Sequence, residues 1–228
     1  MREIILFLKT YPLYFGVFLT LIPIGILLSK GRQGGVAYQL LLACLVTKIA
    51  SDLLMIYYAA KGMNNLWLHN LMVPIRYFLL SGMIYHFLET AYFKKWIRIS
   101  WSLFLVFIAS DIYLSNKQII FTEEHRYVRY SGVVECVLML LWILLYFYEI
   151  MQSLKIANLL KSPAFLISVA WLLHYAALVF FAPLFYYMYR SKLTLDLGIL
   201  EIIPDCMEYL AVVIISVGVS FIPSPKYD

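Results

Sequence analysis

The chain has 228 residues, of which 64% are hydrophobic and 14% are charged. A water-soluble domain is about half apolar and about a quarter charged, so this composition excludes an ordinary soluble globule and requires a solvent other than water. The net charge of +5, from 18 Lys and Arg against 13 Asp and Glu, favours anionic lipid head groups. No basic run is long enough to argue for nucleic acid.

In hydrocarbon only a helix or a closed barrel satisfies its own backbone groups. The apolar runs are long and unbroken rather than alternating, which selects helices. At roughly 20 residues per crossing, the chain is expected to be all-α, a polytopic bundle of about seven transmembrane helices forming one domain over residues 1–228. The first stretch, 8–28, is followed by no small-residue cleavage site and reads as a retained anchor. Lys30-Gly31-Arg32-Gln33-Gly34-Gly35 separates it from a second span over 36–59. Lys61-Gly62-Met63-Asn64-Asn65 leads into a third over 66–89, and Lys94-Lys95 precedes a fourth over 98–115. The longest connection carries Glu123, Glu124, His125 and Arg126; beyond it lie spans over 129–150, 163–188 and 197–220, with Arg190 and Lys192 marking the last turn. Tyr57, Tyr58, Trp67, Trp96, Tyr186 and Tyr187 crowd span ends, as an interfacial aromatic belt requires.

Orientation is nearly balanced, with 8 Lys and Arg on each side of the predicted bundle. Glu3, Glu123, Glu124 and Asp196 tip it toward an N-terminus outside a cell membrane. Cys44, Cys136 and Cys206 lie within apolar segments, their number is odd and no CxxC occurs, so they read as small buried hydrophobes rather than a disulfide framework. Pro74-Ile75-Arg76-Tyr77 and Pro204-Asp205-Cys206-Met207-Glu208-Tyr209 share a Pro, a charge and a Tyr. Parallel three-helix repeats would produce such a likeness; coincidence is the preferred explanation.

Ionisable side chains at mid-bilayer cost about 2.5–3.5 kcal/mol each on insertion scales and usually face a bundle interior or a wet cavity. The spans hold Lys48, Asp52, Arg76, Asp111, Glu135, His174, Glu201, Asp205 and Glu208, with His69 near an end. Glu201, Asp205 and Glu208 follow i, i+4, i+7, one stripe of a helix, and Lys48, Ser51 and Asp52 share a face. At about 1.5 Å per residue, these groups lie between the N-terminal-side surface and the middle of the bilayer. The opposite half carries only His86, Glu89 and Glu149 near its surface. The set therefore predicts a polar basin open on one side. Its six carboxylates against Lys48 and Arg76 are too crowded for all to ionise.

Several chemistries lack their residues. No lysine falls between Lys192 and Lys226, where a retinal Schiff base would need one. His69 and His174 are too few for a three-imidazole zinc site, His86 points elsewhere, and no HxxxH occurs. No motif implies a metal or cofactor. The Ile202-Ile203-Pro204-Asp205-Cys206-Met207-Glu208-Tyr209 run resembles the Pro-plus-acid motif of membrane lycopene cyclases, although the paired acids of their other motif are absent from Asn65-Leu66-Trp67-Leu68-His69-Asn70. That last run, followed by Pro74-Ile75-Arg76-Tyr77-Phe78-Leu79-Leu80, is similar to the third helix of small seven-helix proteins of unknown function found in Bacteroidota, where an acid is expected in place of Arg76. The resemblance implies a bacterial inner-membrane protein of similar size and supplies no activity.

The leading expectation is a binding or sensory protein, with Lys48, Asp52, His69, Arg76, Asp111, Glu135, His174, Glu201, Asp205 and Glu208 lining a small-molecule site that opens toward the N-terminal side. Its partners would be membrane lipids, a ligand and a signalling protein. A proton-coupled small transporter is the first alternative. A membrane enzyme acting on a lipid or isoprenoid, with Asp205 or Glu208 as acid, is the second.

Overall fold

A computed structural model describes residues 12–30, 35–116, 128, 130–153, 158–191 and 202–223. Among the described residues there are seven α-helices and no strand. They are α1 (Pro12–Lys30), α2 (Val36–Ala60), α3 (Leu66–Phe87), α4 (Ala91–Asn116), α5 (Ser131–Ser153), α6 (Pro163–Ser191) and α7 (Ile203–Ser220), with a short 3-10 turn at Leu159–Lys161 before α6. Five of them, α2, α4, α5, α6 and α7, are long and apolar enough to cross a membrane.

Six helices close a ring. α1 packs on α2, α2 on α3, α3 on α5, α5 on α6, α6 on α7, and α7 returns to α1. α4 lies outside the ring against α3 and α5. Its buried positions, Ile97, Ser100, Phe104, Ile108 and Asp111, form a narrow stripe of three- and four-residue steps, as expected of a helix with one protein-facing side. Tyr77, Leu80, Met139, Ile143, Tyr175 and Ile215 are fully buried where the ring helices meet.

Small residues set the closest approach. A Cβ on Gly218 of α7 would stand 3.2 Å from both Leu166 Cβ and Ile167 Cγ1 of α6, so the two backbones touch there as small-residue membrane interfaces allow.

The helix boundaries follow the predicted spans with one clear difference. α4 begins at Ala91 rather than near 98, because helix does not stop where hydropathy falls. Its first turns are amphipathic, with Tyr92 and Trp96 exposed and Ile97 buried. The Lys94 ammonium lies 5.4 Å from the Tyr85 ring centroid, a favourable cation–π contact. The likeness between Pro74 and Pro204 is not positional: Pro74 is inside α3, whereas Pro204 is in the first turn of α7, where proline removes no intrahelical bond. Residues 8–11 and 197–201 of the predicted first and last spans lie outside the described residues.

Candidate functional site

Two sets of charged side chains meet inside the ring. Lys48, in the middle of α2, donates from Nζ to Asp52 Oδ2 at 2.6 Å, one turn along its own helix, and pairs with Glu208 Oε1 of α7 at 2.7 Å. α1 lies between α2 and α7 in the ring, and its Gly16 makes room for the pair. A Cβ there would stand 3.8 Å from Glu208 Oε1 and 4.0 Å from Lys48 Nζ.

The second set joins α3, α5 and α6. The Arg76 fork donates from Nε and Nη2 to the two carboxylate oxygens of Glu135, each at 2.6 Å. Tyr175 donates its hydroxyl to Glu135 Oε1 at 2.9 Å. Two parallel charge-assisted bonds fix orientation as well as energy. The third partner completes a carboxylate that has no contact with water.

His174 lies near both sets. It is buried on α6, its ring edge-on to Trp171 and Tyr175 at centroid distances of 5.5 and 5.4 Å, within electrostatic reach of Glu208, Arg76 and Lys48. Asp205 stands in reach of Glu208 and Lys48, and His69 in reach of Arg76. The structure thus brings together Lys48, Asp52, Arg76, Glu135, His174 and Glu208, with Asp205 and His69 at the margin.

Asp111 does not join them. Its Oδ2 accepts from the Tyr130 amide at 2.8 Å, the Ser131 amide at 2.7 Å and Ser131 Oγ at 2.6 Å, so it caps the start of α5. A carboxylate at a helix N-terminus meets donors without intrahelical acceptors and the positive end of the helix dipole. Depth estimated from sequence could not show which way Asp111 turns. Glu201 lies outside the described residues.

A neutral polar network escapes a reading built on charge. Tyr77 OH and Ser100 Oγ are 2.6 Å apart, Trp142 Nε1 donates to Tyr77 OH at 3.2 Å, and Trp101 Nε1 donates to Ser81 Oγ at 2.8 Å. These groups join α3, α4 and α5 on the far side of Arg76 from the N-terminal-side end. Their residue types look like belt and packing residues in a linear sequence. On α6, buried Ser168 Oγ and Trp171 Nε1 have no hydrogen-bond partner among the described residues. Together with Tyr175 they follow an i, i+3, i+7 face, a pattern the sequence does carry.

Cys44 and Cys136 are buried free thiols, and Cys206 is free but exposed. Among the described residues no group of three or more His, Cys, Asp or Glu side chains could hold a metal ion. No family model, no curated protein and no solved structure matches this chain, and the functional reading rests on the site itself.

Proposed function

We propose that this chain is a seven-span membrane protein that binds a small polar molecule in a crevice inside its helical ring, opening toward the N-terminal side. α1 and α3 join the five apolar helices as spans in this reading. They pack between them, and at about 1.5 Å per residue their 19 and 22 residues approach the roughly 30 Å of hydrocarbon. The observation that carries the reading is uneven burial within the charged cluster. The side chains of Lys48, Arg76 and Glu208 keep 24%, 26% and 28% of their exposure, whereas Glu135 keeps 0%. Charges that pair between helices yet remain partly open support a space beside them. With Asp52, Glu135, Asp205 and Glu208 against Lys48 and Arg76, a ligand bearing a cationic group is favoured by charge balance.

Native mass spectrometry of the full chain in mild detergent tests this. A small molecule is expected to stay with the wild type and to be lost from Glu208→Gln, while both proteins melt as folded bundles. A wild type that flies empty, or equal retention in Glu208→Gln, defeats the proposal.

Transport is a second reading, favoured by Ser168 and Trp171, which carry polar groups along α6 beyond the charged cluster. Uptake of a cationic solute into proteoliposomes would then depend on pH and vanish in Asp205→Asn. Binding without uptake removes this alternative.

A further inference from the structure

α4 stands outside the ring, and the face it turns away from α3 and α5 meets no other helix closely. Its 26 residues, at about 1.5 Å each, run to roughly 39 Å and exceed the roughly 30 Å of hydrocarbon by about six residues. The surplus falls at the start of the helix, because Ile99 to Ser110 carry no charge whereas the first two turns carry Lys94, Lys95 and Arg98. Lys94 and Arg98 are four residues apart and Lys95 and Arg98 three, so the three bases share one face. Tyr85 of α3 holds the Lys94 ammonium under its ring. Lys95 and Arg98 are exposed and make no ion pair among the described residues. No acid stands in the first turn of α4, and Glu149, which approaches it from α5, directs its oxygens to the amides of Glu89 and Thr90. Further along the same face, Leu105 and Val106 are exposed. Beside it Tyr92 and Trp96 are exposed as well, with the amphipathic rings that settle at head-group level.

We propose that the first two turns of α4 bind an anionic phospholipid, its phosphate between Lys95 and Arg98 and one acyl chain along Leu105 and Val106. Charge complementarity selects the head group: a zwitterionic lipid would bring a cation in among three bases. The apolar strip selects a lipid over a soluble anion, which would leave that strip uncovered. The site requires α4 to lie in a bilayer and is independent of the crevice inside the ring.

The test uses the full chain, stripped of lipid and reconstituted in nanodiscs holding equal phosphatidylglycerol and phosphatidylcholine with matched acyl chains. Native mass spectrometry counts the lipids that stay with the protein on release. The wild type is expected to retain phosphatidylglycerol over phosphatidylcholine. Lys95→Gln and Arg98→Gln should each lower that preference about fivefold, the ratio one base near an anionic surface supports. Lys95→Arg keeps the charge and should keep the preference, which tells a lost site from a misfolded bundle. Lys161→Gln removes another exposed lysine, in the turn ahead of α6, and should leave the preference intact. Four results would each overturn the proposal: equal retention of the two lipids by the wild type, a preference unchanged in the Lys95→Gln, Arg98→Gln double variant, a loss in Lys161→Gln as large as in Arg98→Gln, or displacement of the lipid by millimolar inorganic phosphate.

Discussion

Asp111 and Glu149 cap each other's helices. Asp111, near the end of α4, takes the amides of Tyr130 and Ser131 at the start of α5. Glu149, near the end of α5, takes the amides of Glu89 and Thr90 just before α4, together with the Thr90 hydroxyl. The two carboxylates thus fasten an antiparallel pair at both ends, and they hold the peripheral helix to a ring it does not help to close.

The two caps differ in burial, which sets their weight. Asp111 is buried, whereas the Glu149 contacts are exposed to the surroundings. Asp111→Ala is expected to cost about 1–2 kcal/mol, at the upper end of measured caps, and Glu149→Ala about 0.5–1 kcal/mol. Thermal unfolding in detergent measures both. Neither variant should change what copurifies with the protein; a Glu149→Ala loss larger than that of Asp111→Ala would contradict the burial argument.

Breaking the Arg76–Glu135 fork should be far costlier. Glu135→Ala leaves a guanidinium inside the ring without its carboxylate, at about 3–5 kcal/mol. Tyr175→Phe removes one hydrogen bond to a charged acceptor, at about 1.5–3 kcal/mol. The double variant Arg76→Met with Glu135→Leu is expected to be more stable than Glu135→Ala, because it removes the charges together. A double-mutant cycle in detergent that found these effects simply additive would show that the fork does not act as a unit.

Glycine substitutions separate a roomy contact from a tight one. At Gly16 an added Cβ meets nothing nearer among the described residues than Tyr209 Cε1 at 3.5 Å. Gly16→Ala should therefore be neutral or stabilise by up to about 1 kcal/mol through helix propensity. Gly218→Ala, 3.2 Å from two α6 atoms, should cost about 1–3 kcal/mol by overpacking. Gly16→Leu is the functional probe: it is expected to separate Lys48 from Glu208 and lower ligand retention while the bundle still melts cooperatively.

The two unpartnered groups on α6 make an opposite prediction to the paired ones. Ser168→Ala and Trp171→Phe remove donors that have no partner among the described residues, so each should be neutral or slightly stabilising in ligand-free protein. Ser100→Ala, which breaks a bond to Tyr77, should cost about 1 kcal/mol. Parallel melting curves decide it, and a destabilised Ser168→Ala would show that its hydroxyl has a partner.

The helical class and most helix positions were legible because long apolar runs and the Gly, Asn and Lys breaks between them leave few alternatives. The end of α4 nearest Lys94 was not, since an interfacial helix continues through residues that hydropathy treats as loop. Within the site, the Lys48–Asp52 pair follows from i, i+4 spacing alone. Arg76 and Glu135 are 59 residues apart, and their fork exists only because α3 and α5 are neighbours, which no linear pattern records. Asp111 shows the limit of a depth argument: height along a helix is readable, but direction around it depends on which neighbour offers amides.

The ring closes last where it began, with α7 against α1. In the proposed seven-span reading, then, α2 and α3 enter the bilayer long before their partners on α5 and α7 have left the ribosome. Lys48 travels with its own counterion, because Asp52 is on the same helix. Arg76 has no such companion within a turn and must wait for Glu135. In that reading the insertion of α3 is the vulnerable moment in making this protein, and chains truncated before α5 should be the ones that quality-control proteases remove.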